Sequence, residues 1–238
     1  MPKHLVAAIA AITAIAFASV AVAQTQDASM KVSLSPKKAG TKRHPRNSSL
    51  KLTIANNDVH KTLRQLDVQL PKTVAVSGKG LMACKEPTLQ SDGPSACPKG
   101  SIAGKGIANA AVGVDQPAPV PLQFDVTAVV VGKNGLDFFL HGTNLAVNAT
   151  ATGRIRKTSK GPKLVVKIPQ QAQQPTPGVY AGLVDLTATI AKKSGTHKLI
   201  ATTGCRHHKQ KFSTVLHFAQ NPARPAGTAK ASASSTCS

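Results

Sequence analysis

The chain has 238 residues, 30 of them Lys or Arg and only 9 Asp or Glu, for a net charge of +21. Glu86 is the sole glutamate, so paired-carboxylate chemistry has few residues to draw on. With no Trp and one Tyr, the exposed ring platforms that usually seat sugars are missing, and any core must be built from Val, Leu, Ile and Ala, an inventory that suits strands.

In chain order, Lys3 precedes the apolar run LVAAIAAITAIAFASVAV, which exits through Ala21-Val22-Ala23 into polar residues. That order predicts a secretory signal peptide over 1–23, cleaved on export. A retained anchor is the alternative, since Leu5 to Val22 is just long enough to span a bilayer. No later segment approaches that length. Removing 23 from 238 leaves residues 24–238, 215 in all, expected as one secreted β domain with a possible subdivision near 111–121.

Apolar residues then alternate with period two almost throughout. Val32 and Leu34 open a strand; Leu50, Leu52 and Ile54 form the next; Leu66, Val68 and Leu70 form a third that stops at Pro71. SIAGKGIANAAV (101–112) is a small-residue strand, and Val120 to Val131 follows. GKNG (132–135) is a tight turn into LDFFLH, the clearest hairpin. Leu145 to Ala151 alternate toward Arg154, and a loop at Gly161-Pro162 delivers Leu164, Val166 and Ile168. Val184 to Ile190 form another strand, turned by KKSGTH into KLIATTGC, and Phe212, Leu216 and Phe218 lead to an edge strand over Gly227 to Thr236. The segments 36–47 and 170–178 are exposed loops. About ten strands without helices predict an all-β antiparallel sandwich of immunoglobulin-like architecture, either one continuous sandwich or two packed β halves.

Export places Cys84, Cys97, Cys205 and Cys237 in oxidising surroundings, where an even count reads as disulfides. Neither the close pair of a zinc site nor C-x-x-C is present. Pairing neighbours gives Cys84–Cys97 and Cys205–Cys237, expected to contribute about 3 and about 3.5 kcal/mol by restricting the unfolded chain.

The order KVSLSPKKAGTK, LPKTV, CKEPTL, ACPKGSIAGKG, TTGC, FSTVLHF and a terminal Cys resembles a group of secreted actinobacterial β-rich proteins of unassigned function. That resemblance implies a secreted β-rich fold and carries over no functional residue.

Catalytic patterns fail on physical grounds. Ser35 and Lys38 match S-x-x-K, Ser91-Asp92-Gly93 resembles S-D-N, and Lys193-Ser194-Gly195 resembles K-T-G. S-x-x-K must open a helix for Lys to activate Ser, and Gly40 and Pro45 break any helix there. GSIAGKG is too short for a phosphate loop, and no G-x-S-x-G elbow exists. Asp125 and Asp137 could face each other across the hairpin but read as solvent-side strand residues. His197, His207, His208 and His217 cluster in sequence, yet adjacent His207 and His208 point opposite ways if extended and no carboxylate partner is evident, so no metal or other cofactor is assigned.

The charge is the remaining signal. Lys37, Lys38, Lys42, Arg43 and Arg46 form one cluster; Arg154, Arg156, Lys157, Lys160 and Lys163 form a second. Both are candidate contacts for a polyanion, bound through counterion release. The sequence is therefore read as a non-catalytic protein of the cell exterior that contacts anionic wall polymers or lipid headgroups, with no specific nucleic acid. Its alternatives are a purely structural surface module and a hydrolase with an unrecognised site.

Overall fold

The computed structural model describes residues 27–238, so the signal segment expected over 1–23 lies outside the described residues. The first half runs β1 (Ala28–Ser35), β2 (Arg46–Asn47), β3 (Ser49–Asn56), β4 (Thr62–Gln69), β5 (Val74–Val76), helix α1 (Glu86–Asp92), β6 (Ile102–Val112), β7 (Val120–Val130) and β8 (Leu136–Gly142). The second half runs β9 (Asn148–Thr158), β10 (Gly161–Lys167), the single-turn helix α2 (Gln170–Gln173), β11 (Ala181–Ile190), β12 (Lys193–Ser194), β13 (His197–Lys198), β14 (Ile200–Thr202), β15 (Lys209–Ala219) and β16 (Gly227–Thr236). Among the described residues no helix is long and apolar enough to cross a membrane.

The all-β antiparallel class holds, but the hydrogen bonding does not divide the strands into the two sheets of a sandwich. Eleven strands share one sheet in the order β1-β3-β11-β6-β7-β8-β9-β10-β4-β15-β16. Its two edges approach each other: β1 packs on β16, and the Leu34 N–H donates to Ser235 Oγ at 3.0 Å across the seam. The sheet is thus nearly closed into a barrel. Residues 113–119 join β6 to β7, which are neighbours in this sheet and pair from Val112↔Val120 downward.

Register explains the closure. One row of paired residues runs Val32, Leu52, Ala188, Gly106, Val126, Leu140 and Ala149. Another runs Ile155, Leu164, Val68, Thr214 and Ala231. Because side chains alternate across a strand, these rows all face inward, and the intervening Lys, Thr, Asp and Gln face out. A one-residue slip anywhere would turn this apolar set to solvent. β2, β14 and β5 form a three-stranded roof over one end, where Val74, Leu199 and Ile200 are buried.

Several local readings change. The Cys84–Cys97 loop, expected as plain loop, carries α1 with Pro87 in its first turn. The 170–178 connection, also expected as loop, contains α2. The alternation from Leu145 becomes β9 only at Asn148, because Leu145 and Val147 turn back on Gly142: Val147 N–H donates to Leu145 O, and Gly142 N–H to Val147 O. Gly161-Pro162 opens β10 instead of sitting in the loop before it.

Both disulfides join neighbours, Cys84 to Cys97 and Cys205 to Cys237. The first clamps α1 over the outer face of β7 and β8, where Leu89 and Val129 are fully buried with Phe139 against them. The cover is locked by charge as well. Arg154 on β9 bonds Glu86 of α1 and reaches Asp137 Oδ1 on β8 at 2.9 Å.

Replacing Cys84 and Cys97 together by Ser should lower unfolding free energy by about 3 kcal/mol, from loop entropy. It should also expose Val129 and Phe139 to a hydrophobic dye, whereas a dye response equal to wild type would mean the clamp covers nothing.

Candidate functional site

The sheet is antiparallel, so its strand ends fall at two poles. At one pole lie the connections 36–48, 70–101, 131–135, 159–160 and 191–208; at the other lie 57–61, 113–119, 143–147, 168–180 and 220–226. Both basic clusters belong to the first pole. They flank the three-stranded roof, the 36–47 loop entering it through β2 and the β9–β10 hairpin lying beside β5.

The first cluster is held in place although Lys37, Lys38, Lys42, Arg43 and Arg46 are exposed. Ala39 N–H donates to Ser238 O at 2.7 Å, and Ser238 N–H donates to Lys37 O at 3.0 Å. Gly40 N–H reaches Thr202 Oγ1 at 3.4 Å, and Lys198 Nζ donates to Pro45 O at 2.6 Å. The second disulfide fixes Cys237 next to Ser238, so the loop is anchored through the staple. Sequence spacing gave no sign of that link.

The second cluster divides. Arg156, Lys157 and Lys160 are exposed at the hairpin tip and form no ion pair among the described residues. Arg154 is engaged with Glu86 and Asp137, and Lys163 with Asp67 at 3.0 Å. These two cations serve the fold. The same pole also gathers exposed Lys72, Arg206 and Lys209, which sequence distance had kept apart. The opposite pole holds Asp27 and Asp58, paired with Lys61 and Arg224.

The other sequence candidates do not assemble. Asp125 is exposed and pairs with His141, whereas Asp137 pairs with Val129, so the two carboxylates do not face each other. Asp137 is not a solvent-side residue: it is 0% exposed under α1, with Gly153 N–H donating to its Oδ1 at 2.9 Å and no partner for its Oδ2. Ser35 ends β1 and the next residues are bends, so Lys38 is not presented on a helix. His217 does have a carboxylate neighbour, Asp67, at 3.5 Å. His207 and His208 both adopt left-handed φ, 50° and 56°, in the two-residue turn between Arg206 and Lys209, where Asn-Gly is usual. Among the described residues no three His, Cys, Asp or Glu gather at metal-binding distance.

A second feature was not read from sequence. The barrel encloses a cavity of about 110 Å³ lined by Leu, Val, Ile, Phe and Ala, with no charged side chain and with Gln171 as its one polar side chain. Its signal lies in the small residues of 101–112. Gly104, Gly106, Ala108 and Ala110 occupy the inward positions of β6. A Cβ on Gly106 would sit 2.3 Å from Thr187 O, so position 106 cannot carry a side chain without a backbone shift.

Compared with protein-family models, curated proteins and solved structures, the chain matches none of them.

Burial pushes the Asp137 carboxyl above its ordinary value, outweighing the Gly153 N–H and Arg154. Burial also pushes Asp67 up, but hydrogen bonds from Lys163 and Gln65 and the charges of Lys163 and His217 overcome it and the carboxyl lies low. Asp58 is likewise lowered, burial being outweighed by Arg224, the His60 N–H and Lys61. Asp137 therefore binds its proton more tightly folded than unfolded, and its contribution falls as pH rises from 3.8 through the raised value. Asp58 and Asp67 contribute stability that is present above 3.8 and lost as pH falls through their lowered values. In urea titrations across pH, Asp137→Asn should remove the decline above 3.8 and keep the acid loss. An unchanged decline would mean Asp137 is not its source.

Arg154→Ala should cost roughly 3 kcal/mol at neutral pH, because it strands a buried carboxylate. The cost should shrink toward about 1 kcal/mol in acid, where Asp137 is protonated. Lys163→Ala should stay within about 1 kcal/mol, as for other part-exposed pairs. Equal costs for the two at neutral pH would contradict the distinction.

Proposed function

We propose that this is a non-catalytic protein exported to the cell exterior, and that it holds an anionic polymer or a layer of anionic headgroups against its basic pole. The observation that supports the reading is the convergence of two basic clusters, more than 100 residues apart in sequence, on one end of the barrel. Lys37, Lys38, Lys42, Arg43 and Arg46 supply one half of the contact, and Arg156, Lys157 and Lys160 the other. A scattered surplus would serve solubility equally well; a one-ended surplus focuses the field and raises the local concentration of a polyanion. Anchoring of the 36–47 loop by Ser238 and Thr202 reduces what must be ordered on binding. The two disulfides suit an oxidising, extracellular-type compartment. Bare charge reads a polyanion without sequence or stereochemical specificity, so the partner is defined by charge density.

Affinity for teichoic acid or heparin should fall steeply with salt, with a log–log slope that counts released counterions. The triple variant Arg156→Gln, Lys157→Gln, Lys160→Gln should flatten that slope by about two to three units and leave the melting temperature near wild type. Absence of binding at physiological salt would return the charge to solubility alone. A triple variant that binds like wild type would remove the hairpin from the contact.

A further inference from the structure

The cavity carries no charged side chain on its lining, so the polyanion reading does not use it. Its lining runs along β11 from Ala181 at one end of the strand to Ile190 at the other. Nine residue steps of strand span about 30 Å, and somewhat less along the axis of a tilted barrel. A lining that extends the length of β11 around only about 110 Å³ of space suits a thin, extended occupant better than a compact one. Inward-facing Ala110, Leu140, Leu164, Leu183 and Leu186 remain only part-buried, which a filled core would not leave. The channel ends beneath α2 and Pro175, at the pole opposite the basic roof. Exposed Val120 and Leu145 stand at that same pole.

We propose that this channel is a binding site for an unbranched alkyl chain, entering beside α2 with an uncharged or weakly polar head left at Gln171. A small volume spread along a long lining disfavours rings and branched groups, and the apolar wall disfavours water and ions; an engineered apolar cavity of about 150 Å³ stays dry. Gln171 is the one polar side chain on the lining, and its amide both donates and accepts, which suits a hydroxyl or an ester. The segment over the mouth is lightly fastened: Gln173 Nε2 donates to Ile168 O at 2.8 Å, and residues 170–178 form no strand. Displacing α2 would lengthen the channel without breaking the sheet.

Isothermal titration of the disulfide-bonded protein with straight-chain 1-alkanols from butanol to decanol reads the site. Affinity should tighten about fourfold per added methylene until the channel is full and then level off. Cyclohexanol should bind more weakly than hexanol. Ala110→Leu, which fills the wall, and Ala172→Phe, which blocks the mouth from outside the sheet, should each weaken hexanol at least tenfold. Ile107→Ala, on the outer face, should change nothing. If Ala110→Leu fails to fold, Ala172→Phe still decides the question, because α2 contributes no strand to the sheet. Lack of saturable binding, or chain-length dependence that persists unchanged in Ala172→Phe, overturns the site. Incubation with net-neutral phosphatidylcholine vesicles carrying a monoacylglycerol, followed by gel filtration, then separates the sources without engaging the basic pole. Lipid that leaves with the protein upholds the site with a membrane lipid as donor; alkanol binding without lipid transfer upholds it with a free amphiphile.

Discussion

The inner face of the sheet carries less side-chain volume than the space it encloses, and much of the architecture answers that deficit. Interiors normally pack to crystal-like density. Here β6 contributes Gly104, Gly106, Ala108 and Ala110, β11 contributes Ala181 and Ala188, and β9 contributes Ala149, Ala151 and Gly153. Close strand approach enforces some of these choices: a Cβ on Gly153 would meet Leu136 O at 1.9 Å. The large side chains sit instead toward the roofed pole and the seam, where Phe212, Leu199, Ile200 and Val74 are fully buried. The roofed pole and the seam are therefore well filled, while the middle of the barrel along β11 is not.

Stabilisation missing from the hollow part is supplied from outside it. The Cys84–Cys97 segment adds a second small core on the outer face through Leu89, Val129 and Phe139. Arg154 ties that cover to the sheet by bridging Glu86 and the buried Asp137. The Cys205–Cys237 bond holds the end of β16 near the start of β15, and Ser235 meets Leu34 across the seam. Each tie sits where the sheet would otherwise open: the outer face, the seam and the roof. The second tie also positions the basic 36–47 loop, so stability and the surface proposed for binding share one covalent constraint.

Much of the strand inventory was legible because half-buried strands alternate. Leu50-Leu52-Ile54 and Phe212-Leu216-Phe218 show period two without ambiguity, and Gly227 to Thr236 emerges as an edge strand with the expected bounds. Alternation says which face is apolar and not which strands adjoin. One curled sheet and two stacked sheets share the same pattern, so the closure of β1 on β16 could not be read. α1 and α2 were missed because seven and four residues are too few for a helical period. Asp137 looked like a solvent-side residue, since its burial depends on a disulfide loop that starts 53 positions earlier, at Cys84. The basic clusters were visible as charge runs, but their shared pole depends on antiparallel order, and the structural use of Arg154 and Lys163 depends on partners on other strands. The cavity was present in SIAGKGIANAAV as a strand short of volume, a signal that acquires meaning only once the sheet is known to curl.

The polyanion contact and the alkyl-chain entrance are proposed at opposite poles of the barrel. Backbone amide chemical shifts of isotope-labelled protein, followed during titration with a heparin oligosaccharide and separately with hexanol, test that placement in one experiment. The account predicts that the oligosaccharide perturbs residues 37–46 and 156–160, and that hexanol perturbs residues 168–175 and the inward positions of β6 and β11. Perturbations by both ligands at the same pole, or by the oligosaccharide evenly over the whole surface, would contradict it.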